Sequence, residues 1–552
     1  REVAYHTLAR QDRKVRHLAA ARFFEALGSD ELAGALAGHY VAAHDNASEE
    51  AEAQALAGQA RLALRGAAER AAALGAHDQA LAFYRQAITV TTEPGDLADL
   101  HERAARAASI ALHVDHAIEL MTRAVELHRA SRDRSREAGA TADLAMMYAD
   151  SGRPDDAVVI LERAWAELSD LAETEAGAQL MVAMARAYAT ADPPTQAIEW
   201  AERAAVVAER LDVIDVIVRS LHVRGSALVR LNRAREGMIL VRGSGGLAQA
   251  HGLLEAQTRS LTLQTFLAQW DDPRAGLEAA RAGQQLAERV GSRTLSLLMV
   301  GNGVSCAIRV GDWDWAIKLL EEWSTAEIPD AARTELVADE AILEALRGID
   351  PTTRIASIGS RTAGLSDPQY DSYRQSASAW AALAAGRLDD AIAAARAAVD
   401  TTPYFGPMAW PIAIRAALWG NDGDGIRHAL LKMSEGSSDH GAALSADIVT
   451  ARAGLAAIEG RPAESLNLYR EALRAWQALG LQWDQALCAI DMVASLDPAE
   501  PEVRAAAETA RATLVGLGAA PFLERLDAMA GRIEPPRSVA AAEPSASQVA
   551  AR

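Results

Sequence analysis

Two histidines and two acids near position 115 are residues whose types and spacing could bind a metal ion. His113 and His116 flank Asp115, and Glu119 follows one helical turn later. Imidazole nitrogens and carboxylate oxygens are ligands for divalent transition metals. The same residues coincide with a turn between two helices of a repeat, where polar side chains are expected for structural reasons. We favour the structural interpretation and predict no metal site in this chain.

Three pairs of adjacent aspartates have the residue type needed for general acid and base catalysis. They are Asp155–Asp156, Asp271–Asp272 and Asp389–Asp390. Each pair lies in a turn between helices, at the same position of its repeat. An acid at the start of a helix interacts favourably with the helix dipole. Their repetition therefore indicates a structural role, and the sequence predicts no catalytic residue.

A phosphate-binding loop of the Walker A type needs Gly-Lys-Ser/Thr, so that backbone amides and a lysine surround the phosphates. The sequence has lysine only at Lys14, Lys318 and Lys432, and none of them follows a glycine in that way. We therefore expect this chain to hold no cofactor.

Large aromatic residues are the strongest candidates for contact with a partner or ligand, because such side chains anchor interfaces. Trp380 falls on the first helix of its repeat, on the face that is expected to line a concave groove. Tyr404, Phe405 and Trp410 belong to a loop with two prolines between repeats. We predict a contact patch formed by these four residues. Packing within the core is the alternative interpretation.

Helices must position these residues, because a turn signature returns about every forty residues. The signature is Gly-x-x-x-x-Ala followed by an Ala-rich amphipathic run, and clear copies start at Gly75, Gly152, Gly311 and Gly386. A fixed period in this range indicates a solenoid of stacked helical units. Such units build surfaces and seldom build active sites.

The clearest copy predicts an antiparallel helix pair. One helical face precedes the turn at Gly152, and a second face with i, i+4 and i+7 spacing follows it. Small residues at the facing positions let the two helices approach closely. The residues that define this repeat are Leu144, Ala145, Tyr148, Gly152, Ala157, Leu161 and Ala164.

The spacing of these residues resembles the tetratricopeptide repeat signature, although the period exceeds the usual thirty-four residues. The resemblance implies an all-α fold, a right-handed superhelical solenoid of about eleven tetratricopeptide-like helix pairs. No alternating β-branched run predicts a strand. The copies anchored on Gly237, Gly276, Thr353 and Gly425 depart from the signature, so their register stays open.

Composition excludes some classes of function. The net charge is −20 and the pI is near 5.2, which disfavours nucleic-acid binding because phosphate neutralisation needs a basic face. Cys306 and Cys488 lie in separate repeats and are expected as free thiols, which favours a reducing cytoplasm. The opening residues lack the apolar region of a signal peptide, and no run is long enough to span a membrane.

The first residues resemble a junction in multidomain bacterial class III adenylate/guanylate cyclases. The segments that carry this resemblance are Arg1–Tyr5, the arginine-rich helix with His17, Leu32 to Tyr40, Gly66–Ala71 and Leu74–Ala80. In that family a cyclase domain comes first, a signal-transducing ATPase second and the repeats last. The resemblance implies that this chain is a fragment, and that ATP and divalent metal would bind only in upstream domains.

On this basis residues 1–45 are expected to end an ATPase-associated helical module, and residues 46–532 to form the solenoid, with a hinge near 400–412. Residues 533–552, rich in Pro, Ser and Ala, are expected to be disordered.

The expected function is a non-catalytic sensor that regulates the upstream ATPase and cyclase. Its partner would be a protein or peptide in the superhelical groove, including the chain's own upstream ATPase domain, and not nucleic acid or a membrane. The alternatives are the inducer-sensing solenoid of a transcription regulator and a free-standing tetratricopeptide scaffold. The sequence leaves the oligomeric state and the effector open.

Overall fold

The computed structural model describes residues 7–28, 30–190, 193–231, 233–269, 271–326, 328, 330–362, 368–402, 406–436 and 441–531, and within these ranges there is no β-strand. The α-helices are α1 (Arg10–Leu27), α2 (Ala33–Asp45), α3 (Glu50–Ala73), α4 (His77–Thr89), α5 (Pro94–Ile110), α6 (Val114–Ser131), α7 (Arg134–Asp150), α8 (Pro154–Leu168), α9 (Glu175–Thr190), α10 (Pro194–Leu211), α11 (Ile214–Arg230), α12 (Ala234–Ala250), α13 (Leu254–Ala268), α14 (Pro273–Val290), α15 (Arg293–Val310), α16 (Trp313–Ser324), α17 (Asp330–Arg347), α18 (Thr352–Arg361), α19 (Gln369–Ala384), α20 (Leu388–Thr401), α21 (Gly406–Trp419), α22 (Gly423–Gly436), α23 (Gly441–Ile458), α24 (Pro462–Leu479), α25 (Gln482–Ser495), α26 (Pro501–Leu517) and α27 (Ala520–Ala530).

The pair α7–α8 shows how one repeat is built. α7 ends at Asp150, and Gly152 reverses the chain with a φ of 80°. Pro154 begins α8, where its fixed φ suits the first turn and its missing N–H has no cost. Tyr148 is half-buried, and the other repeat-defining residues are buried, namely Leu144, Ala145, Gly152, Ala157, Leu161 and Ala164.

One backbone hydrogen bond fixes the register of the less regular repeats. In most repeats the anchor residue of the second helix donates its N–H to the carbonyl of the residue before that helix, as Ala157 does to Arg153 at 3.3 Å. Gly237 and Gly276 make the same bond at the starts of α12 and α14. These two repeats therefore keep the regular register.

The register that the sequence left open at Thr353 and Gly425 is shifted in the structure. In α18 and α22 the anchoring bond is made by Ile355 and Ile426, two residues and one residue later. An isoleucine here occupies the position that a small residue holds in most other repeats. A sequence pattern that looks for a small residue therefore picks Thr353 or Gly425, which lie close to the true anchor.

The first helices of successive pairs stack against one another and form the inner side of the solenoid. α7, α9, α11, α13 and α15 form such a row, and α10, α12 and α14 lie outside it. The predicted all-α solenoid of helix pairs is confirmed. Its right-handedness and the number of about eleven pairs stay predictions.

The superhelix winds far enough for its turns to touch. A Cβ built on Gly291 would lie 2.6 Å from the Cα of Gly75. The hydroxyl of Thr294 donates to the carbonyl of Ser109 at 3.2 Å. These contacts join repeats that are distant in sequence, and they enclose the centre of the solenoid.

The centre is filled in the C-terminal half. Trp313, Trp483 and Phe522 are buried there, and the ring of Trp483 stands edge-on to the other two at centroid distances of 5.0 and 5.1 Å. Arg309 binds Asp484 at 3.0 Å in the same core. Side chains thus fill the centre of the C-terminal half, whereas the N-terminal half has a cavity at its centre.

One described helix, α23, has the length and mean hydropathy of a membrane-spanning segment. Most of its residues are buried in the core, and its Asp447 pairs with Arg309 at 3.2 Å. These are the properties of a central helix in a packed solenoid.

The first two helices continue directly into the solenoid. α2 packs against α3, and Lys14 of α1 binds Glu52 of α3 at 2.6 Å. The boundary at residue 45 and the hinge near 400–412 stay predictions. The tail 533–552 lies outside the described residues.

Candidate functional site

A cavity of about 350 Å³ lies at the centre of the N-terminal half, where the turns of the superhelix meet. We call it the inner cavity. Its walls come from α7, α9, α11, α13 and α15 on one side and from α17 and α19 on the other. The side chains used in the argument are Asp150, Arg186, His222, Arg259, Glu335 and Tyr370.

Asp150 is shared by two arginines on one wall of the inner cavity. Its Oδ1 accepts from Arg186 Nη2 at 2.8 Å, and its Oδ2 accepts from Arg259 Nη2 at 3.3 Å. The three side chains are 23%, 26% and 24% exposed, respectively, so they are open to the cavity. Burial would raise the pKa of Asp150, but the charges of Arg259 and Arg186 outweigh it and hold that pKa below its usual value.

His222 stands beside these arginines and is held neutral. Burial first, and then the charges of Arg186 and Arg259, lower the pKa of His222 to about 3. Its Nδ1 atom is buried and has no hydrogen-bond partner within the described part of the protein. A buried polar atom without a partner costs free energy.

The opposite wall carries an acid that titrates near neutral pH. Burial raises the pKa of Glu335 to about 7, and a hydrogen bond with Tyr373 opposes the rise. A Cβ on Gly301 would collide with the Glu335 carboxyl, so the glycine lets this side chain lie against α15. Gly301 itself lies within α15.

Charged side chains of both signs line the inner cavity. Those other than the neutral His222 are Arg186, Arg230, Arg259, Asp150 and Glu335. Arg259 also pairs with Glu255 at 3.4 Å, and Arg230 donates to the carbonyl of Ala189. The guanidinium groups of this wall therefore have partners within the protein.

An adjoining cavity of about 460 Å³ shares Asp150, Arg186, His222 and Arg259 with the inner cavity, and four arginines and four acids line it in all. The further ion pairs on its walls are Arg106–Asp143, Arg219–Asp215 and Arg259–Glu255. The neutral balance gives it no preference for an anion.

His113, Asp115 and His116, whose residue types could bind a metal ion, lie at an outer cleft of about 1430 Å³. There His113 Nε2 is 2.6 Å from Asp78 Oδ1, and the rings of His113 and His116 are 6.3 Å apart. Across the described ranges no three His, Cys, Asp or Glu side chains are placed to hold a metal ion. The arginines across the cleft are paired, as Arg354 is with Glu344 at 2.6 Å.

The predicted aromatic contact patch falls in the C-terminal half. Trp380 is half-buried, with its ring centroid 6.3 Å from that of Trp483. Trp410 is only 6% exposed. These placements favour the packing alternative for both tryptophans, and their contact role stays a prediction. Tyr404 and Phe405 lie outside the described residues.

Sequence reasoning missed the residues of the inner cavity, although a signal was present. Asp150, Arg186, His222 and Arg259 follow one another at intervals of 36, 36 and 37 residues. The repeat anchors in the same region are spaced by about forty. Relative to the repeat anchors, these four cavity residues therefore move back by about one helical turn, 3.6 residues, in each repeat. A search for residues that recur at the anchor period does not find them.

No protein-family model matches the sequence, and no curated protein matches it. Several solved structures are similar in part, and three of them follow. BtubC (BKLC) from P. vanneervenii is 17% identical over 43% of this chain and 92% of its own, with a TM-score of 0.31. A Rap protein complexed with Competence and Sporulation Factor is 12% identical over 71% and 99%, with a TM-score of 0.41. The APC/C hetero-tetramer Cut9-Hcn1 is 14% identical over 94% and 95%, with a TM-score of 0.41.

Proposed function

We propose that this chain is a non-catalytic binding and sensor solenoid, in which occupation of the interior changes how the turns of the superhelix contact each other. The observation that carries the proposal is the contrast between the two halves. The C-terminal half is packed along its axis, whereas the turns of the N-terminal half meet around a cavity through polar groups. A half with a hollow, polar centre can respond to a ligand at less cost than a close-packed core.

The states of Asp150, His222 and both cysteines support a non-catalytic role. Asp150 is neutralised by two arginines, and His222 with a pKa of about 3 is a weak base at neutral pH. Both cysteines are buried, and burial raises the pKa of Cys306 to about 12 and that of Cys488 further. A thiol with such a pKa is a poor nucleophile.

We further propose that a protein or peptide binds in the superhelical groove and thereby biases the output of an adenylate/guanylate cyclase in the cytoplasm. This partner includes the chain's own upstream ATPase domain. ATP and divalent metal would then bind only upstream. The support for this form is the resemblance of the first eighty residues to the cyclase junction. An inducer-sensing transcription regulator and a free-standing scaffold would use the same solenoid.

The test begins with the coding DNA upstream of Arg1 and continues with the full-length parent protein. If a cyclase is encoded there, Gly291→Leu should change cyclase activity at least twofold, because the new side chain would wedge between Gly291 and Gly75. Gly252→Leu is the control, since Gly252 has a similar φ of 68° and nothing within 4 Å of an added Cβ. Equal activities in both variants, or the absence of a cyclase, would refute the finer proposal.

A further inference from the structure

Glu335 is a carboxyl group of the inner cavity that lacks a counter-charge within the described part of the chain. It lies on α17, is half-buried and lines the cavity, so its side chain is within reach of a ligand there. Among the described residues, a hydrogen bond with Tyr373 favours its ionised form, whereas no positive charge lowers its pKa. A carboxylate that is partly removed from water is unstable without a counter-charge. A cation bound in the cavity would supply one.

Asp339 lies one helical turn further along α17 and belongs to the same acidic wall. It is 6% exposed, and its Oδ2 has no hydrogen-bond partner within the described residues. Burial first, and then the charges of Glu335 and Glu340, raise its pKa well above the usual value. Protons therefore stand in for the missing positive charge at this wall. A bound cation would take the place of the proton at Glu335.

The arginines of the opposite wall do not neutralise these two acids, because they are engaged elsewhere. Arg186 and Arg259 share Asp150, and Arg259 also pairs with Glu255 at 3.4 Å. Arg230 donates to a backbone carbonyl. Within the described chain, the inner cavity thus has one wall whose guanidinium groups have partners and one wall whose two acids have no positive partner.

Aromatic and apolar side chains lie beside the acidic wall. Tyr370 and Tyr373 of α19, Phe266 of α13 and Leu298 of α15 line the inner cavity. Aromatic rings attract cations through their faces and pack against flat apolar groups. The cavity of about 350 Å³ is at the small end of typical ligand sites. A small inorganic cation would leave this wall in contact with water, whereas a flat ring would cover it.

We propose that the inner cavity binds a small organic ammonium ion, an amine carried on an aromatic body. The ammonium group donates its N–H groups to the carboxylate of Glu335, and the ring packs against Phe266, Tyr370 and Tyr373. The site deepens the sensor function proposed above and rests on it for its physiological meaning, whereas binding itself is a property of this chain.

Such a ligand would stabilise the contact between two turns of the superhelix. Its ammonium group would bind Glu335 of α17, and its ring would contact Tyr370 of α19, whose own ring lies against Gly152 in the other turn. A ligand that binds the closed arrangement better than an open one shifts the equilibrium toward closure.

Binding should release a proton from Glu335, because burial raises the pKa of this acid to about 7 and a bound cation would lower it again. An aliphatic amine stays protonated at both pH 6 and pH 8. Affinity should therefore rise about tenfold from pH 6 to pH 8, as the ionised fraction of Glu335 rises. Asp339, whose pKa is also raised, acts in the same direction.

The other groups around Glu335 keep their charge over this pH range. His222 has a pKa of about 3, the pKa of Asp150 is held below its usual value by the charges of Arg259 and Arg186 against the effect of burial, and the arginines stay positive. From α15, Gly301 faces the carboxyl without a side chain. The pH dependence of binding therefore reports on the acids of α17.

The experiment measures binding of phenethylamine to the full 552-residue chain by isothermal titration calorimetry, with uncharged phenethyl alcohol as the matched probe. At pH 8 we expect saturable binding of the amine, and binding of the alcohol weaker by about tenfold or more. Glu335→Gln should weaken amine binding to the same extent and remove its dependence on pH. Glu344→Gln should leave both unchanged, because Glu344 lies on the same helix but pairs with Arg354 at 2.6 Å and lines the outer cleft.

Glu335→Gln keeps the size of the side chain, and circular dichroism reports whether the variant folds. The comparisons of amine with alcohol and of pH 6 with pH 8 use the original chain, so they test the proposal even if that variant does not fold. No saturable binding of the amine, equal binding of both probes, equal affinity at the two pH values, or equal losses in Glu335→Gln and Glu344→Gln would each overturn the proposal. These outcomes do not depend on the cyclase assay, so each proposal can fail separately.

Discussion

Gly152 and Tyr370 meet across the gap between two turns of the superhelix. A Cβ built on Gly152 would lie 2.8 Å from both Cε2 and the hydroxyl oxygen of Tyr370. The φ of 80° at Gly152 also lies in the left-handed region, which disfavours other residues. Gly152 is thus required twice, once to reverse the chain between α7 and α8 and once to let the turns approach.

Comparing alanine substitutions at Gly152 and Gly460 separates the two requirements. Gly460 begins a second Gly-Arg-Pro turn with a φ of 76°, but it has nothing within 4 Å of an added Cβ. Gly460→Ala should cost about 1 kcal/mol of stability from backbone strain alone. Gly152→Ala should cost about 2–4 kcal/mol, because overpacking against Tyr370 adds to the strain. Thermal denaturation of both variants measures the difference, and equal melting temperatures would contradict the inter-turn contact.

The helix pairs could be predicted from sequence because each pair is fixed by local residues. Gly152 and Pro154 set the turn, and Ala157 allows close approach, all within a few positions of one another. The contact of Gly152 with Tyr370 could not be predicted in this way. It depends on the rotation accumulated over several repeats, and small errors in each repeat add up along a solenoid.

The inner cavity was missed for a related reason. Arg186, His222 and Arg259 belong to a row whose period differs from that of the anchors by about one helical turn, 3.6 residues. In the sequence each of them resembles an ordinary charged residue on a solvated helix face. Their convergence on Asp150 becomes visible only when the stacking of α7, α9, α11 and α13 is known.

The ion pair between Arg415 and Asp491 is nearly free of solvent, at 6% and 2% exposure and 3.0 Å. Trp419 Nε1 also donates to Asp491 at 2.8 Å. Arg415→Met should cost about 3–5 kcal/mol, because it leaves a buried carboxylate without its counter-charge. Arg415→Met combined with Asp491→Leu should be less destabilising than Arg415→Met alone. Chemical denaturation measures the free energy of unfolding of both variants. If the double variant were less stable than Arg415→Met alone, the ion pair itself would be stabilising.

Stability should fall as the pH rises above about 4, because buried acids in α17 keep their protons in the folded state. Burial first, and then the charges of Glu335 and Glu340, raise the pKa of Asp339 well above its usual value of 3.8. The folded chain therefore binds protons that the unfolded chain has released, and this contribution is lost with increasing pH.

Asp339→Asn tests this dependence. The variant should melt about 2 °C or more above the original chain at pH 8 and show little difference at pH 4. Asp314→Asn, at a side chain that is 96% exposed, should change neither value. A variant at Asp339 that is destabilised equally at both pH values would mean that the carboxylate has a structural partner.

The contact between Gly75 and Gly291 predicts a measurable distance between the turns. Leu74 and Arg289 are exposed neighbours of these glycines, so spin labels on Leu74→Cys and Arg289→Cys report whether the turns touch. Cys306 and Cys488 do not compete for the label, because both thiols are buried.

Double electron–electron resonance should give a short, narrow distance for this labelled pair. Gly291→Leu in the same background should lengthen and broaden it, because a Cβ there would lie 2.6 Å from the Cα of Gly75. Gly252→Leu should leave the distribution unchanged, since it carries the same backbone strain without an inter-turn neighbour. If Gly252→Leu broadened the distances as much as Gly291→Leu, local strain and not the contact between turns would control the closure of the solenoid.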